Sequence, residues 1–469
     1  MMVRRIVSCA AAVLMVALPL SLAGASASAE GTILGAGHPD AISDSYLVVY
    51  KPDARRGLDL EADRAVSVTH TYETALHGFS ATMDERQART LAAHPDVAFV
   101  EQNRTVRLTA TRPVHDVRGV RPAGPAIPVP PMGRGVTSYV IDTGILTTHS
   151  LFGTRASWGT NTTGDGINAD CNGHGTHVAG IVGGSLPDRW TAWNTSLVAV
   201  KVLDCTGSGT LAGVAAGVDW VTAHRNGPSV ANMSLGSPNS AAVDQAVRNS
   251  IASGVTYVVA AGNSNANACL FSPAAVTQAI TVGAAHDSKR RAWFSNYGTC
   301  LDAFAPGVGV RSAWNTGPTV TKTLSGTSMA APSVAARAAM YVSSNLVATP
   351  AQVAAQLMSV AEVGQVVDPG PGSPNRFLGS LTSPPPAPPT VSLLECESYN
   401  RQVVCGTSAS GVVTDIWWFW NGAPATSGQY SFIGGCSPGA NITIRVMVGS
   451  PGGAGERSQG VRCSSGPPV

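Results

Sequence analysis

The sequence is short of charge, of lysine, of aromatic residues and of long apolar runs. Only 12% of its residues are charged and 6% aromatic. Thirty basic residues against 28 acidic ones leave a formal net charge of +2, which gives no reason to expect a nucleic-acid or anionic-membrane partner. Lysine stands at four positions only, so the basic residues are mostly arginine, which reads as a coding habit and not as function. There is no Cys-x-x-Cys and no Cys/His ligand cluster, which removes the ordinary zinc frameworks. His174 and His177 lie three apart with no glutamate between them in a zincin arrangement, and nearby Asp170 does not complete a metal site. Beyond residue 22 no run is long and apolar enough to span a bilayer.

What is present is apolar material, 44% of the chain, with 51 glycines and 31 prolines. That suffices for a large core and carries too little charge for a disordered chain. At 469 residues, two or three folded units are expected. Arg4 and Arg5 precede an apolar run at 6–22, and small residues follow at Ala27, Ser28 and Ala29. Charged start, apolar middle and Ala-x-Ala exit together read as a secretory signal peptide over residues 1–29, so the protein is expected to be secreted and free of the membrane after cleavage. Setting Cys9 aside within it leaves eight cysteines: Cys171, Cys205, Cys269, Cys300, Cys396, Cys405, Cys436 and Cys463. An even count in an exported chain suggests disulfides, most simply paired within the central four and within the last four.

A polar leader at 30–45 precedes a compact unit at 46–108. Strands are expected there at 46–50, 76–83 and 97–100, with an Ala-rich helix after the first and a second helix opened by Asp84. Residues 112–134 are loose and rich in Pro and Gly. From 136 to 381 the pattern alternates. Near-continuous apolar runs at 136–141, 197–203, 230–234 and 255–261 are separated by helical stretches at 213–221 and 241–248. This predicts a parallel sheet covered on both faces, with functional groups at the carboxyl ends of its strands. A Pro-rich linker at 382–390 separates residues 391–469, where short alternating strands predict a small disulfide-containing β-sandwich.

Three segments carry chemistry. Asp142 ends a buried strand before Thr143 and Gly144. His174 opens a Gly-flanked helical turn in Asn172-Gly173-His174-Gly175-Thr176-His177. Ser328, after Gly326 and Thr327, heads a helix running to about Ser343. A serine hydroxyl is a poor nucleophile until a base takes its proton, and the base needs a carboxylate to hold its tautomer. Alone, Asp142 reads as a turn residue and Ser328 as a helix cap. The order Asp, His, Ser is the one found in subtilisin and differs from the other two known orders. The Gly326-Thr327-Ser328-Met329-Ala330 segment is not the Gly-x-Ser-x-Gly elbow of esterases and lipases. A degenerate peptidase kept as an extracellular binding or adhesion protein is the remaining alternative, and a filled triad argues against it.

The three motifs closely resemble those of subtilisin-like serine peptidases, with flanking text similar to the proteinase K and aqualysin branch, over about residues 46–381. The resemblance implies a seven-stranded parallel α/β sandwich, endopeptidase activity through an acyl-enzyme, and an inhibitor-type propeptide over 30–111 ahead of a peptidase domain at 112–381. It assigns Asp142 as orienting carboxylate, His174 as general base and acid, Ser328 as nucleophile, and Asn263 as an oxyanion donor beside the Ser328 backbone N–H. Gly207, Ser208 and Gly209, with Ser234, Leu235 and Gly236, would pair with substrate as edge strands. Ala260, Ala261, Gly262 and Phe271 would line the P1 pocket and Leu211 would bound the P4 pocket, implying apolar or aromatic P1 residues. The cysteine pattern implies Cys171–Cys205 and Cys269–Cys300; in the tail, Cys396–Cys405 and Cys436–Cys463 is the shortest-loop choice. Catalysis needs no cofactor, a structural calcium ion is implied at Asp302 with carbonyls near Thr277 and Ala279, and the partners are protein or peptide substrates and the chain's own propeptide, acting on a monomer. After Ser328 the family usually reads Pro-His-Val-Ala-Gly, where this chain has Pro332, Ser333, Val334, Ala335 and Ala336, a change in helix packing and not in the triad.

Overall fold

A computed structural model describes residues 30–54, 66–108, 132–186, 191–379, 390–399, 402–410, 415–421, 423–427, 431–450 and 453–464. The first unit comprises β1 (Ala41–Tyr50), β2 (Ser67–Tyr72), β3 (Gly78–Thr82), α1 (Glu85–Ala92) and β4 (Val97–Leu108). The strands form an antiparallel sheet in the order β4–β1–β3–β2. Helix α1 begins where Asp84 predicts it: the Asp84 carboxylate accepts from the Gln87 N–H and the Gln87 side chain accepts from the Asp84 N–H, a reciprocal capping box. Leu91 and Ala88 of α1 pack on Val48, Phe79, Val97 and Val100. The Ala-rich helix expected after β1 falls on residues 55–65, outside the described residues. Strand β2 is an addition to the expectation; its Ser-Val-Thr-His-Thr-Tyr run is β-branched and aromatic enough to form one.

The central unit contains β5 (Thr137–Asp142), β6 (Ala156–Asn161), α2 (His174–Gly183), β7 (Ser196–Lys201), β8 (Ser208–Thr210), α3 (Leu211–His224), β9 (Ser229–Met233), β10 (Leu235–Pro238), α4 (Ala241–Ala252), β11 (Val255–Ala260), β12 (Ile280–Ala285), β13 (Ala303–Pro306) and α5 (Thr327–Ser344). Seven strands run parallel in the order β13–β12–β11–β9–β5–β7–β6, inside a sheet of nine that two short segments at Arg376–Phe377 and Glu362–Val363 complete at one edge. Every residue of β9, β11 and β12 is buried, which is why these strands read as unbroken apolar runs and not as alternating ones. Successive residues face opposite sides: Val140 and Val258 pack under α2 and α5, whereas Tyr139, Ile141 and Val259 pack under α3 and α4. The result is three layers. Leu47, Val49, Tyr72 and Leu76 of the first unit join the α3 and α4 side of that core.

Among its described residues the tail forms two antiparallel sheets, one of three strands and one of four, around Leu394, Val403, Trp418, Ile442, Ile444 and Val446. Disulfides Cys396–Cys405 and Cys436–Cys463 close it.

Candidate active site

The parallel sheet delivers Asp142 at the carboxyl end of β5, and α2 opens with His174. The His174 Nδ1–H donates to Asp142 Oδ1 at 2.7 Å, with the two side chains 2% and 0% exposed. Asp142 Oδ1 also accepts from the Thr143 N–H at 2.8 Å. This bonding fixes the imidazole orientation and leaves Nε2 as the ring nitrogen directed away from the carboxylate. Among the described residues His174 Nε2 forms no hydrogen bond.

Ser328 is the second residue of α5, so its backbone N–H belongs to the first turn, whose donors have no acceptor within the helix itself. Its Oγ donates to the Ser234 carbonyl at 3.1 Å, and the Ser234 hydroxyl donates back to the Ser328 carbonyl at 3.0 Å. Asn263 follows β11. Its Oδ1 accepts from both the Thr327 N–H and the Thr327 hydroxyl, each at 2.9 Å, which commits the carbonyl side of the amide and turns the NH₂ group outward as donor. Asn296, fully buried, shapes the same loop: its Nδ2 donates to the Ala261 carbonyl at 2.8 Å and its Oδ1 accepts from the Ser264 and Ala266 N–H groups at 3.0 Å. Gly262 has φ +103°, and a Cβ there would come within 2.4 Å of the Asn296 amide, so this position needs glycine. Sequence reasoning missed Asn296 and Thr327, whose roles exist only through contacts made across the fold.

Strand β4 of the first unit occupies the cleft. It pairs antiparallel with β8 (Thr105 with Thr210, Val106 with Gly209, Arg107 with Ser208) and with β10 (Arg107 with Gly236, Leu108 with Leu235). The Leu108 N–H donates to the Gly207 carbonyl at 2.9 Å. Both segments singled out for substrate pairing therefore flank one strand. Beside Leu108 opens a cavity of about 220 Å³ lined by Gly236, Ala260, Ala261, Gly262 and Phe271, with no charged side chain from the central unit. Leu211 is buried at the start of α3, in the same apolar cluster as Val106.

Two buried carboxylates dock the first unit. Asp219 of α3 accepts from the backbone N–H groups of Glu73, Thr74, Ala75 and Leu76 at 2.6–3.3 Å. Glu101 of β4 accepts from the Ala242 N–H at 2.9 Å and the Ser240 hydroxyl at 3.1 Å, at the start of α4, while Arg104 donates to its other oxygen at 2.8 Å. Burial pushes the Glu101 pKa up, against the pull of these donors. Neither role was foreseen, because a lone acidic residue carries no sign of a partner more than a hundred residues away.

Disulfide Cys171–Cys205 ties the segment before His174 to the segment before Gly207, and Cys269–Cys300 closes the loop beside Phe271. His177 is buried and its Nε2 lies 3.1 and 3.0 Å from the Val310 and Lys322 carbonyls. Asp302, half-buried just before β13, accepts from the Thr281 N–H at 2.8 Å, and desolvation pushes its pKa up to about 6. Among the described residues no three His, Cys, Asp or Glu side chains converge as a metal cluster, and no helix is long and apolar enough to cross a membrane.

Comparison with known proteins agrees with this geometry. Residues 133–380 match the subtilase family of peptidases, and residues 41–109 match the peptidase inhibitor I9 family. The chain is 42% identical over 386 residues to an extracellular serine proteinase of Thermus sp. (strain Rt41A), spanning 76% of this chain and 93% of that one. It is 42% identical over 369 residues to alkaline serine exoprotease A of Vibrio alginolyticus, spanning 73% and 68%. The crystal structure of a cold adapted subtilisin-like serine proteinase superposes with a TM-score of 0.50 at 50% identity, covering 54% of this chain and 90% of that one.

Proposed function

Since the chain belongs to the subtilase family and is a subtilisin-like serine endopeptidase with an inhibitor-type propeptide, we propose that Asp142, His174 and Ser328 are its triad and that Asn263 completes the oxyanion hole. The bond of 2.7 Å between the His174 Nδ1–H and the Asp142 carboxylate carries the reading. Asp142 holds His174 with its proton on Nδ1, so that Nε2 takes the proton of the Ser328 hydroxyl as it attacks the substrate carbonyl. The Asn263 amide and the Ser328 N–H donate to the oxygen that becomes negative, at a helix N-terminus that favours that charge. His174 then gives its proton to the leaving amine, and water releases the acyl group by the same steps reversed. No cofactor enters these steps.

Antiparallel main-chain pairing to 207–209 and 234–236 accepts any extended sequence, and the cavity lined by Ala260, Gly262 and Phe271, to which the central unit brings no charged side chain, favours apolar or aromatic P1 residues. The chain is secreted, and cuts itself from its propeptide. The described part of β4 stops at Leu108 opposite Leu235, and the Ser328 hydroxyl bonds the neighbouring Ser234. That register supports a cut between Thr109 and Ala110, two residues ahead of the boundary expected after residue 111. We place a calcium ion at the half-buried Asp302 carboxylate, with carbonyls near Thr277 and Ala279 as its partners. A serine-directed organophosphorus reagent tests the proposal: casein hydrolysis should fall to zero with one label per molecule, on Ser328. Labelling elsewhere, or activity that survives full labelling of Ser328, refutes it.

A further inference from the structure

The two triad members that are bonded to each other come from different elements, β5 and α2, and something must hold those elements in register. Helix α2 begins at Gly173, in the left-handed conformation at φ +103°, with no side chain of its own to cap the first turn. Its exposed N–H groups therefore need an acceptor from elsewhere. Asp170 supplies it. The carboxylate, 7% exposed, takes five uncharged donors. Oδ1 accepts from the Gly173 N–H at 2.7 Å, the Asn172 N–H at 3.1 Å and the Thr143 hydroxyl at 2.9 Å. Oδ2 accepts from the Thr176 N–H at 2.9 Å and the Thr176 hydroxyl at 2.5 Å.

Thr143 makes this more than a cap. It follows Asp142, and its N–H donates to the same Asp142 oxygen that His174 bonds. Its hydroxyl oxygen meanwhile accepts from the Gly175 N–H at 2.9 Å, one residue past His174. The turn at 142–144 and the helix start at 173–176 thus share one hydrogen-bonded unit centred on Asp170. The fit is close enough that a Cβ on Gly175 would meet the Gly144 carbonyl at 2.1 Å. We infer that Asp170 is a positioning residue, which through Thr143 sets where His174 stands against Asp142. Its loss then lowers the rate of the chemical step and not only the stability of the helix, because a misplacement of about 1 Å in reacting groups costs on the order of 10²-fold.

The inference rests on the triad reading, so the test separates the two. Mature enzyme is counted by active-site titration with an organophosphorus reagent, and kcat and KM are measured on a soluble peptide for Asp170→Asn, Thr143→Val and Thr143→Ser. Asp170→Asn is expected to lower kcat by about 10-fold or more with KM nearly unchanged. Thr143→Val, which removes the link to the Asp142 turn and the acceptor for the Gly175 N–H but leaves Asp170 bonded to Gly173 and Thr176, should lower kcat in the same way by several-fold, and Thr143→Ser should restore it. The proton NMR signal of the His174 Nδ1–H should shift in Thr143→Val and return in Thr143→Ser. Wild-type kcat per titrated site and an unmoved signal in Thr143→Val would reduce Asp170 to a helix cap and overturn the inference. If Asp170→Asn does not fold, the Thr143 pair decides alone. Activity surviving in Ser328→Ala would instead overturn the triad reading itself.

Discussion

Ser328 and Asn263 are fixed by different means, and their loss should read differently. Ser328→Ala removes the proposed nucleophile, so activity should vanish and the precursor should stay uncut when purified alone; processing near residue 109 in that variant would show that another protease does the cutting. Asn263→Ala removes one donor to the developing oxyanion while the Ser328 N–H remains. Turnover should fall about 10²–10³-fold with little change in KM, a size taken from subtilisin itself; unchanged turnover would discard the oxyanion role. Asp302 gives a pH effect with a definite sign. Its pKa is raised from 3.8 to about 6 by burial, so the folded state holds the proton more tightly than the unfolded chain does. Without calcium, stability should therefore fall as pH rises from about 4 to 6 and level off above. Calcium would offset the ionised carboxylate, so a chelator at pH 7 should lower Tm in the parent protein and leave Asp302→Asn unmoved. An equal effect of chelator on both would remove Asp302 from the calcium site.

Strands and helices explain the inhibitor. β4 lies between β8 and β10 as a third strand, which is how an extended substrate would bind, and the docking is reinforced at two helices by Asp219 and Glu101. A fragment covering residues 30–109, added in trans, should inhibit the mature enzyme at micromolar levels. Asp219→Ala should weaken that inhibition by one to two orders of magnitude, about what loss of a buried charged acceptor costs, while leaving peptide hydrolysis intact. Equal inhibition of both enzymes would mean that the cleft strand alone holds the propeptide. The amino terminus of the mature protein should be Ala110; a start elsewhere would break the register argument.

The groups we propose as catalytic all lie between 142 and 328, and the tail has a core and two disulfides of its own. Trp418 is 1% exposed and belongs to that core. A protein stopped at about Thr382 should therefore keep full activity on small soluble peptides. Loss of peptide hydrolysis in a truncated protein that still shows native circular dichroism would place the tail in the active site.

Much of the architecture was legible beforehand because a buried parallel strand leaves an unbroken apolar run and a helix leaves its cap. The run at 255–261 became β11, the stretch at 213–221 became the middle of α3, and Asp84 marked the start of α1. Motif order singled out Asp142, His174 and Ser328, since activating a serine requires those residue types, and the family resemblance added Asn263. β2 was missed because a short mixed run with threonine and histidine shows no clean period, and Asp170, dismissed as a metal ligand, gave no hint of its partners. What the sequence determined by itself are the properties written into neighbouring residues: periodicity, caps and the chemical types of the residues proposed to react. Tertiary structure alone decided which way the Asn263 amide faces, that Asp219 meets residues 73–76, and that Asp170 joins β5 to α2. Those are hydrogen bonds between segments brought together by burial of the apolar strands, and no local pattern encodes a donor that arrives from the far side of a sheet.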